Sequence, residues 1–232
     1  MLYDFIFENS TLAYILVIIT VIFAYIIQAK LRTTFNKYNK VISRRNVPAN
    51  VIARQILDSY NLYDVKVTSV SGDLSDHYDP RSNVVALSES TFNSASVAAI
   101  GIAAHEVGHA IQHNTAYMPI KIRSVFVPFA QIGSYTWAIF FLLGMLMSFS
   151  VFIDIAIVLF AIVTLFQILT LPVEFDASKR ALEIIQSQDL LDHYEICGTR
   201  KTLSAAAMTY VAGLMVATAQ LFRLLVLSNR RH

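Results

Sequence analysis

The run His105-Glu106-Val107-Gly108-His109 carries the sharpest chemical signal in the chain. Four residues at ~100° each turn a helix through ~400°, so both histidines leave nearly the same face one turn apart and can grip one zinc ion. Glu106, a further ~100° round, can reach a water on that metal without being a ligand. Zinc lowers the pKa of its water toward ~7, and a carboxylate beside it can take the proton as the water attacks a carbonyl. With six His and sixteen Asp or Glu in 232 residues, an acidic match to this pattern arises by chance in about one such sequence in a hundred. Gly101, Ala104 and Gly108 form a small-residue stripe beside the histidines, which lets another element approach closely. Glycine inside a helix costs ~1 kcal/mol relative to alanine, a cost hard to justify in an arbitrary surface helix.

Two histidines cannot hold catalytic zinc alone, because such sites use three protein ligands and leave one position for water. The best source of the third is LPVEFDASKRA, with Glu174 and Asp176. Pro172 marks a helix start and sets both acids in its first turn. On that helix they lie ~200° apart, so they cannot share one role. Asp176 is read as compensating the helix dipole and pairing with Lys179 or Arg180. Glu174, two residues past Pro172 and with the longer side chain, is the expected ligand. His113 would sit ~12 Å along the axis from His105 and ~80° round, and no glycine from Ala110 to Gln112 offers a reversal.

These residues need elements to hold them. Ser94 or Ser96 can cap a helix running through SVAAIGIAAHEVGHAIQH, which cannot be a membrane span because His105, Glu106 and His109 would lie within it. Upstream, Asn46 with Pro48 in the first turn predicts a helix through Ser59, with Val51, Ile52, Ile56 and Tyr60 on one face. DVKVTSV and NVVALS read as strands, with the polar loop SGDLSDHYDPRS between them. NVVALS is either an exposed edge able to pair with an extended substrate or a buried internal strand. In the loop, His77 or Tyr78 could donate to an oxyanion, against the plainer reading of an Asp-rich turn.

The rest of the chain is apolar. Fully 56% of it is hydrophobic and only 15% charged, against roughly 25% charged in an ordinary soluble domain. A net charge of +2 without a basic block excludes a nucleic-acid footprint. The lone Cys197 excludes an internal disulfide framework or Cys-rich zinc module. Few glycines and prolines exclude collagen-like or linker-rich chains, and no internal repeat is evident. Residues 10–29 carry no charge and are long enough for a first transmembrane helix. A signal peptide is the rival, opposed by acids before the stretch (Asp4, Glu8), bases after it (Lys30, Arg32, Lys37, Lys40, Arg44, Arg45) and the lack of a cleavage site. The same charges place residue 30 onward in the cytoplasm.

A cytosolic α+β portion is expected over 30–123, a transmembrane hairpin over 124–173 with Asp154 its only charge, and a second cytosolic segment over 174–202. An even number of crossings returns Glu174 to the histidines' side. Residues 203–227, with Gly213 and Ala217 in small-xxx-small spacing, form a transmembrane or interfacial helix, followed by Arg230 and Arg231. His193 and His232 have no partner pattern and are read as surface residues.

The stretches NLYDVKV, LSDHYDPRSNVVALS, SVAAIGIAAHEVGHAIQH, LPVEFDASKRAL and AAMTYVAGL, in this order between such spans, resemble the YugP-like membrane-bound neutral zinc metallopeptidases of bacteria. The resemblance covers nearly the whole chain. It implies a mainly α-helical multi-pass membrane protein with a small α+β cytosolic zincin-like portion. It also implies a gluzincin-type peptidase holding one Zn2+ through His105, His109 and Glu174, with Glu106 as catalytic acid/base and proteins or peptides as substrates. The more distant HtpX-like proteases carry an acidic residue four positions beyond the ligand Glu; here that position is Ser178, so Asp176 would have to orient a ligand from another angle. One rival reading is a non-catalytic zinc-binding membrane scaffold, which would close its site with four protein ligands. The other is a metal transporter, opposed by the absence of His, Asp and Glu from residues 10–29, 124–147 and 155–171.

Overall fold

The computed structural model describes residues 10–229; Asp4, Glu8, Arg230, Arg231 and His232, which entered the readings above, lie outside the described residues. The elements are α1 (Ser10–Tyr38), α2 (Ala49–Ser59), β1 (Lys66–Val70), β2 (His77–Asp79), β3 (Val84–Ser88), α3 (Glu89–Phe92), α4 (Val97–Asn114), α5 (Met118–Met147), α6 (Ser150–Ser187) and α7 (His193–Asn229). The protein is mainly helical, with one small sheet, and α1, α5, α6 and α7 are each long and apolar enough to cross a membrane.

The chain divides into two compact units. The first holds α1 up to Gln28, Ile122–Leu171 and α7 from Thr209. Its outward-facing side chains are largely apolar, including Ile18, Ile19, Tyr25, Ile132 and Val158, as expected of helices solvated by lipid rather than water. Within it, α5 and α6 are joined by only Ser148 and Phe149, with Ser148 at φ 56°. Gly133 marks their close approach, since a Cβ there would lie 2.8 Å from the Leu159 carbonyl oxygen. Gly213 marks no such crossing: a Cβ there would lie 3.7 Å from Gln167, an ordinary contact.

The second unit, Ala29–Lys121 with Pro172–Met208, contains the sheet and the chemistry-bearing residues. The strand order is β1-β3-β2, with β1 parallel and β2 antiparallel to β3. NVVALS is therefore the buried central strand, and the edges are β1 and β2. Part of the segment read as loop is β2 itself. α2 opens after Pro48, which caps it two residues later than the Asn46 start the sequence suggested, and buries Ala49, Ile52, Ala53, Ile56 and Leu57. This i, i+3, i+4 stripe leaves Val51 50% exposed, and Tyr60, just past the helix end, is 40% exposed. α4 is the central helix, with most of its side chains buried. Its cap is Ser96, whose Oγ accepts from the Ala99 amide at 3.1 Å and donates to Asn39 Oδ1 at 2.6 Å.

Pro172 does not begin a helix. It lies inside the 38-residue α6, which passes through it at the loss of one backbone hydrogen bond. Likewise α7 already begins at His193, ten residues before the apolar stretch that announced it.

Candidate active site

His105 and His109 project from one face of α4, their ring centroids 4.8 Å apart and their planes at 83°. α6 brings Glu174 to that face. Glu174 Oε2 lies 3.3 Å from His105 Nε2 and 3.5 Å from His109 Nε2. The carboxylate is almost completely buried, at 2% exposure, where burial of a charge demands compensation.

The approach of α6 depends on Gly108. A Cβ there would sit 2.9 Å from the Ala177 carbonyl oxygen and 3.4 Å from Ala177 Cα, so backbone meets backbone where an alanine would force the helices apart. Gly101 similarly faces Thr199 of α7. The small-residue stripe thus seats two different helices.

The three donors fit a zinc ion. A tetrahedral ion bonded at ~2.1 Å separates its donors by about 3.4 Å, which the two Glu174 distances bracket. The donor atoms lie within 4.8 Å of one another, and among the described residues no fourth His, Cys, Asp or Glu joins the group. Two imidazoles and a carboxylate also match zinc's preference for nitrogen and oxygen ligands.

Glu106 follows His105 directly and is buried. Burial pushes its carboxyl pKa up, against the opposing pull of His105 and His109. For His109, burial pushes the imidazole down, but the hydrogen bond and charge of Glu174 win and its pKa is raised.

Several residues weighed from sequence stand apart from the three donors. Asp176 binds Arg180, four residues on, and accepts from Gln112 Nε2 at 2.8 Å. His113 is exposed and meets the Tyr78 ring edge-on at 6.2 Å. The Tyr78 hydroxyl donates to Asn83 Oδ1 at 2.9 Å, so that proton is already engaged. His77 is exposed, with Nδ1 2.8 Å from the Ser75 carbonyl oxygen. His193 is exposed beside Tyr194, and Cys197 is exposed.

Sequence reasoning passed over Gln112 and noticed Ser178 only for the acid it lacks. Gln112 Oε1 lies 3.0 Å from His109 Nδ1, and Ser178 Oγ lies 3.1 Å from His105 Nδ1. The available signal was helical spacing: Gln112 is three residues past His109, and Ser178 four past Glu174.

The model of a family described as "Putative neutral zinc metallopeptidase" matches residues 13–229. "Putative membrane protease YugP" of Bacillus subtilis (strain 168) is 42% identical over 200 residues, which is 86% of this chain and 89% of that protein. No solved structure matches. Since the family match extends from α1 through the sheet and both donor-bearing helices into α7, the chain belongs to the neutral zinc metallopeptidase family, as a membrane protein whose cofactor is Zn2+.

Proposed function

We propose that this protein is a gluzincin-type metalloendopeptidase in which His105, His109 and Glu174 hold the zinc and Glu106 is the general base. The observation that carries this reading is the convergence of two imidazole Nε2 atoms on one buried carboxylate oxygen, with a second buried carboxylate next to the first histidine. Zinc held there supplies Lewis acidity, polarising a peptide carbonyl and making water a better acid. Glu106 takes a proton from the attacking water as its oxygen bonds to the carbonyl carbon. It then delivers that proton to the amide nitrogen as the C–N bond breaks, so the two products leave as acid and amine. A buried carboxyl with a raised pKa suits a group that must hold a proton between two steps. Three converging donors also leave a coordination position that a closed scaffold site would fill.

The expected behaviour of detergent-solubilised protein is one zinc per chain and casein cleavage that a chelator abolishes and one equivalent of zinc restores. Cleavage that survives complete zinc removal would overturn the reading; tightly bound zinc with no cleavage of any peptide would favour the scaffold.

The same reading puts this chemistry at the cytoplasmic face: the bases after residue 29 favour 30–123 inside, and two crossings over 124–173 would return 174–202 to the same side. The exposed Cys197 reports on the second segment directly, and Tyr63→Cys in a Cys197→Ser background reports on the first, Tyr63 being 69% exposed. Both thiols should resist an impermeant reagent in intact cells and react after permeabilisation. Labelling of either in intact cells would refute the cytoplasmic assignment.

A further inference from the structure

Each histidine has two ring nitrogens, and what holds the one facing away from the metal decides how the other is presented. For His109 that partner is Gln112, whose amide has no freedom to turn. Gln112 Nε2 donates to the Val173 carbonyl oxygen and to Asp176 Oδ2, both at 2.8 Å. Both partners can only accept, so the amide cannot be flipped without facing oxygen against oxygen at two places. Its Oε1 is thereby committed to His109 Nδ1. A group that can only accept holds a hydrogen on Nδ1 and leaves the Nε2 lone pair for a metal. Asp176 is itself fixed by Arg180, whose guanidinium lies 5.6 Å from the Tyr117 ring centroid. On the other side of the site, Ser178 Oγ stands at His105 Nδ1.

We propose that Gln112 and Ser178 are the positioning residues of this metal site, orienting both histidines through uncharged oxygens, and that Asp176 acts one bond further out by locking the Gln112 amide. This rests on the reading of His105, His109 and Glu174 as ligands. It also gives Ser178 a function: its hydroxyl stands where it can orient His105. An uncharged acceptor aligns the imidazole without making it as strong a donor as a carboxylate does, so the ion keeps more Lewis acidity and is held less tightly.

The test is zinc affinity by chelator competition on the full-length, detergent-solubilised protein, with the visible spectrum of the Co2+-substituted form as a second readout and far-UV dichroism as a check on folding. Gln112→Leu should weaken zinc binding by about 10–100-fold and alter the Co2+ bands. Asp176→Leu alone should cost only a few-fold, and in the Gln112→Leu background nothing further, because its effect passes through Gln112. Ser178→Ala should lose about tenfold, Ser178→Thr should restore wild-type affinity, and Ser178→Asp should bind zinc more tightly than wild type. Wild-type zinc affinity and Co2+ spectra in both Gln112→Leu and Ser178→Ala would overturn the proposal, as would full additivity of Gln112→Leu with Asp176→Leu. Should Gln112→Leu fail to fold, the partly exposed Ser178 series still decides for His105. Glu174→Ala separates the two levels: if it loses zinc while the positioning variants do not, only this inference fails, and if it keeps zinc, the ligand reading beneath it fails.

Discussion

Glu106→Gln should keep its zinc and lose its proteolysis. Glutamine has the shape of glutamate and fills the same buried space, so α4 and its histidines need not move. The substitution removes a proton acceptor and nothing that the two Nε2 atoms or Glu174 contribute. General-base assistance is worth about 10²–10⁴-fold in rate, and the proton here has to be taken up and then returned, so the loss should fall toward the upper end. Zinc content should stay at one per chain, and the Co2+ spectrum should be close to that of wild type. Hydrolysis at the wild-type rate by Glu106→Gln would remove Glu106 from the mechanism. Loss of zinc together with activity would mean that its carboxylate supports the metal rather than the water.

What could be read from the sequence follows the range of the forces involved. The common face of His105 and His109 is a property of one helix, set by 3.6 residues per turn, and the Ser96 cap is equally local. The apolar lengths of α1, α5, α6 and α7 report their solvent directly. Pro172 misled because its local preference is to start a helix, whereas α6 has thirty-eight residues whose remaining backbone bonds outweigh one lost bond. Val51 misled because it was counted without the 100° step, which sets it opposite Ala49, Ile52, Ala53, Ile56 and Leu57; Tyr60 does fall on their face by that step but stands at the C-cap, where the helix has ended. Alanine, small and easily passed over, supplies two of those five.

The surroundings of the metal site were harder to read because they are made across helices. The glycine stripe announced that something approaches α4, but only the tertiary structure shows α6 at Gly108 and α7 at Gly101. Gln112 could be placed on the histidine face by spacing, yet its role depends on Val173 and Asp176, more than sixty residues away. Ser178 was noticed for the acid it lacks, and its hydroxyl stands at His105 Nδ1 across two helices. Asp176, read as a helix-surface pair with Arg180, makes that pair and also reaches toward His109 through Gln112.

Glu174→Ala should lose zinc and activity together, while Asp176→Ala keeps most of its metal and His113→Ala keeps both metal and activity. Structural zinc held by four ligands is worth about 10–16 kcal/mol, so one ligand contributes on the order of 3 kcal/mol, a hundredfold or more in affinity. Glu174 also supplies the only charge among the three donors, so its removal leaves a dication facing two neutral rings. Truncating a buried side chain leaves a cavity as well, and Glu174→Gln controls for that by keeping the volume and an oxygen while removing the charge. It should bind zinc more weakly than wild type and more tightly than Glu174→Ala. Asp176 contacts Gln112 and Arg180 rather than the imidazole Nε2 atoms, so its loss relaxes one orienting bond without emptying a coordination position. His113 faces Tyr78 from an exposed site at the end of α4, one turn beyond His109, and contributes no donor to the group. Metal content measured on the purified variants, alongside cleavage, separates these outcomes. Full zinc occupancy in Glu174→Ala, with loss in Asp176→Ala or His113→Ala, would move the third ligand to another residue.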